Sequence, residues 1–463
     1  MPFEIKNICC IGAGYVGGPT MAVFASKCPD LVVNVVDINE KRISDWNNKD
    51  LSNLPVYEPG LSYLIEKYRN RNLFFSNDVK NSIAKADMIF ISVNTPTKKT
   101  GFGSGQALDL RWIEECSREI AKYAEGSTIV VEKSTLPVKT ASKIKEILSS
   151  SVKDLSPEKN LNPEKEFFIL SNPEFLAEGS AINNLETPDR VLIGGENKEA
   201  VDALSKIYLN WVPSQKILKT NIWSSELSKL VSNAFLAQRV SSINATSAIC
   251  EKTGADIKEV SLAVGLDRRI GERFLNSGPG FGGSCFKKDI LSLVYLANFY
   301  GLSHVANYWE QVIKINEWQQ SRITQQILES LFGTIAGKKI AILGFAFKAN
   351  TNDTRESPAI NICKYLIEEG GILNIYDPKV KESQIQKDLN FEDFKYSKSV
   401  LEAVQGVDGI VILTDWEEFR RLNYAELYNS MRKPSWLFDC RGVIEKKLAI
   451  EAGLKVWVVG NGT

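Results

Sequence analysis

Apolar residues along this chain come in short runs that alternate with amphipathic stretches. The run Ile8-Cys9-Cys10-Ile11 is followed at once by Gly12-Ala13-Gly14-Tyr15-Val16-Gly17 and then by Met21-Ala22-Val23-Phe24-Ala25. A brief continuous apolar run bounded by turn residues reads as a buried strand, and a longer stretch with a period near 3.6 reads as helix. Further strands are predicted at Leu31–Asp37, Met88–Val93, Ser127–Val131, Phe167–Leu170 and Val191–Gly194. This alternation, lasting to about residue 210, predicts a parallel sheet with crossover helices. Polar residues and prolines gather where these strands end, in Asn94-Thr95-Pro96-Thr97, Glu132-Lys133-Ser134-Thr135 and Ser171-Asn172-Pro173-Glu174. Open parallel sheets bind ligands at those ends. The polar stretch Ser149–Glu166, with two prolines, reads as an exposed insertion.

The pattern then changes. Ser224–Thr253 carries Leu227, Leu230, Val231, Ala234, Phe235 and Val240 at helical spacing, which predicts one long helix. A second helical stretch is predicted from Lys288 to about Ser330, broken at Gly301. From Lys338 the first pattern returns. Lys339–Lys348 is again a strand and a glycine turn, Gly371–Pro378 parallels the strand ending at Asp37, and Val407–Thr414 parallels Ala86–Val93. The fold class expected is therefore α/β, with two Rossmann-like parallel-sheet domains joined by a long central helix and a helical connector. The expected domains are 1–210, 211–325 and 326–463. Two such domains imply two nucleotide ligands. The second copy lacks G-x-G-x-x-G and gains Lys348, a point charge suited to a phosphate.

Composition narrows the function. The 463 residues carry no net formal charge, and no basic stripe points to nucleic acid. No apolar run approaches the ~20 residues of a membrane span. A strand starting near residue 7 leaves no room for a signal peptide, so a cytoplasmic protein is expected. The eight cysteines are scattered without C-x-x-C pairs, which argues against a metal cluster or a disulfide framework and for reduced thiols. No metal is expected. The single histidine, His304, lies away from both glycine-rich segments, so proton transfer falls to carboxylates, lysine or water.

Two segments carry candidate chemistry. In the first, Gly12 permits a tight turn, Gly14 lets the backbone approach a pyrophosphate, and Gly17 allows close helix–strand packing. Asp37 stands 20 residues after Gly17, where a ribose-hydroxyl acceptor is expected. A carboxylate there favours NAD, while Arg42 close behind leaves NADP open. In the second, Gly280-Phe281-Gly282-Gly283-Ser284-Cys285-Phe286-Lys287-Lys288-Asp289 sets a thiol among glycines, two lysines and a carboxylate. Cations favour the nucleophilic thiolate. Set against this, a lone cysteine is commonly a small buried hydrophobe, and Lys229 commonly a solvated helix residue. Lys229 and Asn233, four apart on a helix, can face one ligand. Glu174 and Glu178 share that spacing if their stretch is helical.

Together the motifs GAGYVGGPT, VNTPT, EKST, NPEFLAEG, SSELSKL, GFGGSCFKKD and GFAFK with DTRES resemble the UDP-glucose 6-dehydrogenase family, most closely its eukaryotic members. The resemblance runs from about residue 5 to 445. It implies NAD-dependent, four-electron oxidation of the glucose C6 alcohol to a carboxylate, with UDP attached throughout. Cys285 would capture the aldehyde as a thiohemiacetal that becomes a thioester. Lys229 would act with a water and Asp289 on the C6 hydroxyl, Glu174 on the hydrolytic water, with Asn233 and Thr135 beside them. The cofactor is implied to meet Gly12, Gly14, Tyr15, Val16, Gly17, Asp37, Arg42, Val93, Thr95, Ser134, Thr135, Glu178, Lys288 and Arg355. The sugar nucleotide is implied to meet Glu174, Phe175, Leu176, Glu178, Lys229, Asn233, Asn276, Phe281, Gly282, Phe286, Lys348 and Arg441, with Arg269 reaching the site of a neighbouring subunit in a homodimer or larger homo-oligomer. Related sequences usually carry lysine where this chain has Asn276, and Gly278-Pro279 is unusual before the cysteine loop. The same reading leaves two alternatives: a dehydrogenase of UDP-N-acetylhexosamine or GDP-mannose, and a non-catalytic nucleotide-sugar or NAD(H) sensor.

Overall fold

The computed structural model describes residues 3–154 and 165–462. The chain forms two compact units, residues 1–232 and 233–463, and the division falls within one helix, Ile222–Thr253. Most of the insertion expected at 149–166, residues 155–164, lies outside the described residues; before it the helix Thr140–Asp154 ends, and after it a strand begins at Glu166.

The first unit holds eight strands: β1 (Asn7–Ile11), β2 (Val32–Val36), β3 (Leu73–Ser76), β4 (Met88–Ile91), β5 (Ser127–Glu132), β6 (Glu166–Ser171), β7 (Val191–Gly195) and β8 (Ile217–Thr220). They make one sheet in the order β3-β2-β1-β4-β5-β6-β7-β8. Every neighbouring pair is parallel except β6 with β7. On one face Ile8 and Cys10 join a core with Met21 and Phe24; on the other Cys9 and Ile11 join one with Ile113 and Ile120. Burial on both faces is why β1 reads as a continuous apolar run rather than an alternating one.

The second unit contains the rest of the long helix, the helices Phe286–Phe299 and Ser303–Ser330, and a second sheet. The break predicted at Gly301 is present, with that glycine in the left-handed region at φ +72°. The sheet is built from β9 (Lys339–Leu343), β10 (Ile372–Tyr376), β11 (Lys395–Tyr396), β12 (Gly409–Ile412), β13 (Trp436–Asp439) and β14 (Lys455–Val458). Its order, β11-β10-β9-β12-β13-β14, repeats that of the first six strands of the first sheet. The internal repeat seen in the sequence is thus a repeat of topology. The acid after the second strand, Asp37 in one copy and Asp377 in the other, braces the turn after the first strand in both. Asp377 accepts hydrogen bonds from the backbone N–H groups of Phe345, Ala346, Lys379 and Val380 and from the Trp416 indole. Its carboxylate closes its own loop.

Among the described residues, no helix is long and apolar enough to cross a membrane.

Candidate active site

In the first unit the glycine turn follows β1. Gly12 adopts φ +109°, and a Cβ there would lie 2.3 Å from the Ser92 carbonyl oxygen; at Gly17 it would lie 2.0 Å from the Gly12 carbonyl oxygen. At Gly14 a Cβ would meet nothing within 4 Å. Two glycines are therefore required by packing and the third leaves the backbone open. The helix Gly17–Lys27 starts here without a side-chain cap or an acid in its first turn, so its N-terminal N–H groups and positive dipole end suit an anion. Tyr15 and Val16 form the half-buried rim of the turn. Asp37 is buried; its Oδ2 accepts from the Ala13 N–H at 3.0 Å and pairs with Arg42 at 2.9 Å. The acid thus braces the turn, and the arginine that left NADP open is engaged by that acid.

The ends of β4 and β5 bring four more candidates together. The Thr95 hydroxyl donates to the Thr135 carbonyl at 3.0 Å, and the Ser134 hydroxyl to the Val93 carbonyl at 2.7 Å. After β6, the chain from Asn172 to Ala177 is irregular, and Glu178 begins a turn. The helical spacing expected for Glu174 and Glu178 is therefore not realised. Pro173 disfavours a helical Asn172, and buried Glu58 accepts the backbone N–H groups of Gly179 and Ala181 at 2.7 and 3.0 Å at the start of the next helix, Ala181–Glu186. Glu174 points inward, with Oε1 3.2 Å from Lys229 Nζ and both side chains almost wholly buried. Lys229 is no solvated helix residue. Phe175 carries the Arg190 guanidinium 3.8 Å above its ring centre, and Lys229 Nζ lies 5.5 Å from the same centre. Leu176 and Glu178 are half-buried beside them.

In the second unit the cysteine loop is fixed by backbone. A Cβ on Gly282 would lie 2.5 Å from the Glu356 carbonyl oxygen, and Gly280, at φ +126°, packs against Asn316. The Asn316 side chain accepts from the Phe281 N–H at 2.8 Å and donates to its carbonyl at 3.1 Å. Phe281 packs edge-on against Phe286. Cys285 occupies the N-cap position of the helix Phe286–Phe299. It is the one half-buried thiol; the other seven are buried. Burial pushes Cys10 and Cys116 up to about 12 and Cys28 up to about 11, which keeps those thiols protonated and inert. A helix N-terminus, by contrast, favours a thiolate. One turn on, Asp289 is fully buried; its Oδ2 accepts from Asn233 Nδ2 at 2.6 Å, and Lys288 Nζ lies 3.5 Å from its Oδ1.

The remaining candidates scatter by exposure. Arg441 donates to the Leu413 and Phe347 carbonyls, and a Cβ on Gly278 would lie 3.2 Å from its guanidinium. Lys348 is half-buried near the Phe347 ring, and Arg355 pairs with Asp353. Arg269 is exposed and paired with Asp267, and Asn276 is exposed. Sequence reasoning passed over Lys133, Asn172, Arg190, Glu58, Glu226 and Asn316. Lys133, Asn172 and Glu226 lay inside quoted motifs; the other three carried no local signal.

The comparisons with known proteins match this layout. Residues 6–212 match the NAD binding domain of the UDP-glucose/GDP-mannose dehydrogenase family, residues 223–318 its central domain and residues 341–446 its UDP binding domain. The chain is similar to UDP-glucose 6-dehydrogenase 1 of Oryza sativa subsp. japonica, 52% identical over 98% of this chain and 97% of that protein. It is 53% identical to the UDP-glucose 6-dehydrogenase of Bos taurus over 96% of this chain and 90% of that one. A solved UDP-glucose dehydrogenase from Pyrobaculum islandicum matches it with a TM-score of 0.86 at 28% identity, over 100% and 99% of the two chains.

Proposed function

This chain belongs to the UDP-glucose/GDP-mannose dehydrogenase family, and from that premise we propose that it oxidises UDP-glucose to UDP-glucuronate in two NAD-dependent steps through a covalent adduct on Cys285. The observation that carries the reading is Cys285 itself, the half-buried thiol at a helix N-terminus, in a loop held rigid by Gly282 and Asn316.

The glycine turn fits NAD. Gly14 leaves space for a pyrophosphate, the uncapped helix N-terminus faces it, and Asp37 supplies a carboxylate. When bound, NAD⁺ supplies the hydride acceptor, twice per product. The protein's residues do the rest. Lys229, with Asp289 and a water, takes the proton of the C6 hydroxyl as the alcohol becomes aldehyde. The Cys285 thiolate forms a bond to that carbonyl carbon, and loss of a second hydride turns the thiohemiacetal into a thioester. Glu174 takes a proton from the water that adds to the thioester; the C–S bond breaks and the thiolate returns. Thr135 orients water, Arg355 and Glu178 serve the cofactor, and Lys348 and Arg441 meet the UDP phosphates and base. The three-part division at 1–210, 211–325 and 326–463 is retained as the functional division. Exposed Arg269 suits contact with a neighbouring subunit, and eight cysteines with no disulfide between them suit a reducing cytoplasm.

The test is turnover of UDP-glucose against UDP-N-acetylglucosamine and GDP-mannose, read as NADH formed. Preference for UDP-glucose supports the reading. Turnover of another sugar nucleotide alone would replace the substrate, and none with any of them would remove the enzyme assignment.

A further inference from the structure

Lys133 directly follows β5 and is 3% exposed. Its Nζ donates to Asn172 Oδ1 at 3.1 Å and to the Tyr208 hydroxyl at 3.4 Å. Tyr208 donates to the same Oδ1 at 2.7 Å, and Asn172 Nδ2 donates to the Leu192 carbonyl at 2.8 Å. Asn172 stands two residues before Glu174. One buried amine is thus built into the segment that presents the carboxylate, and its hydrogen-bond acceptors are neutral.

The titratable and charged groups that face Lys133 are Glu174 after β6, Lys229 on the long helix, Cys10 on β1 and Tyr208 on the helix Lys198–Tyr208. Burial pushes the Cys10 thiol and the Tyr208 hydroxyl upward, so neither is charged near neutral pH. Two amines and one carboxylate remain beside Lys133, and on the far side of Lys229 the Arg190 guanidinium lies over the same Phe175 ring. Lys229 pairs with Glu174 at 3.2 Å, and the other carboxylate oxygen, Oε2, is buried without a hydrogen bond. Even before Arg190 is counted, such a site holds one extra positive charge if both amines are protonated, and each ammonium then disfavours the other. Burial pushes the Lys133 amine down to about 8, with the Glu174 carboxylate opposing and the Lys229 ammonium adding to the fall.

We propose that Lys133 is a positioning residue for this oxidation: a buried second cation whose charge drives Lys229 toward its uncharged, proton-accepting form, while its amine anchors the segment that carries Glu174. A lysine acts as a base near neutral pH only when burial or a neighbouring cation makes it shed its proton, and Lys133 is that neighbour. The inference rests on the assignment of Lys229 as the proton acceptor.

The test titrates both amines by NMR of ε-¹³C-labelled lysine in the full chain, alongside the pH profile of kcat for UDP-glucose. In Lys133→Met the Lys229 midpoint should rise by about one pH unit. The ascending limb of kcat should move up with it, giving roughly tenfold slower turnover on that limb. Lys133→Arg, which keeps the charge, should leave the limb within a few tenths of a unit. Coupling is reciprocal, so Lys229→Met should raise the Lys133 midpoint by a similar amount. That second variant carries the test if the first does not fold. Midpoints that stay put in both variants would overturn the proposal, as would a limb that moves equally in Lys133→Met and Lys133→Arg. Failure of the substrate assignment looks different: wild-type protein would form no NADH from UDP-glucose while the amine titrations still report on the coupling.

Discussion

Asn233 Nδ2 donates a 2.6 Å hydrogen bond to Oδ2 of Asp289, a carboxylate with no exposed surface. The bond fixes which oxygen of Asp289 is spent on structure. Oδ1 is buried without a hydrogen bond, 3.5 Å from Lys288 Nζ.

Replacing Asp289 by Asn should lower kcat by about 10²–10⁴-fold, because the carboxylate proposed to share the C6 proton is lost. Asn233→Ala should leave Oδ2 buried without a donor and cost about 1–3 kcal/mol of stability, seen as a lower melting temperature together with lower kcat. Steady-state kinetics and thermal melts on the same preparations check both. Asp289→Asn turning over within twofold of wild type would remove Asp289 from the proton path.

The two neighbouring glycines of the first turn should separate binding from folding. Gly14→Ala places a methyl where nothing stands within 4 Å. It should melt like wild type and raise the KM for NAD⁺ by tenfold or more, since that space is the one proposed for the pyrophosphate. Gly17→Ala places its methyl 2.0 Å from the Gly12 carbonyl oxygen and should lose about 1–3 kcal/mol of stability through overpacking. Melting curves with and without NAD⁺ distinguish the two. Equal NAD⁺ affinity in Gly14→Ala and wild type would place the pyrophosphate elsewhere.

A buried acid pair should set part of the pH dependence of stability. Glu132, at the end of β5, is buried with no N–H or hydroxyl donor on either oxygen and faces the Glu226 carboxyl, so one of the two acids must carry a proton to bond the other. Burial, then the Glu226 charge, pushes Glu132 upward, and burial pushes Glu226 up to about 7 against the N–H groups of Ala141 and Lys139. Both acids bind protons more tightly folded than unfolded. Their contribution is therefore complete below pH ~4.5 and is lost as pH rises through about 7. Glu132→Gln keeps a donor for Glu226 and removes one charge. Its melting temperature should gain on wild type across that window, by about 2–4 °C above pH 7. Parallel melting curves from pH 5 to 8 would show that the pair does not share a proton.

The fold was largely legible because both sheets are buried on two faces, so strands such as β1 and β9 appear as uninterrupted apolar runs. The repeat was legible for the same reason. The contact at the end of the segment Asn172–Glu178 was not, because Glu58, more than a hundred residues earlier, accepts the backbone N–H groups of Gly179 and Ala181. The polar run Glu132-Lys133-Ser134 reads as an ordinary strand end. Only the packing shows Glu132 and Lys133 both buried, facing different partners, Glu226 for one and Asn172 with Tyr208 for the other. Local pattern reports burial of apolar groups well and burial of charged ones hardly at all. The charged groups of the site become visible only when distant elements meet.

The central claim is that Cys285 carries the sugar between two oxidations, and the most direct measurement is NADH formed per UDP-glucose consumed, in wild type and in Cys285→Ser. Wild type should form two NADH per sugar and the variant no more than one, because serine cannot reach the free acid through a thioester. One NADH per sugar in wild type, or full conversion to the acid by Cys285→Ser, would contradict it.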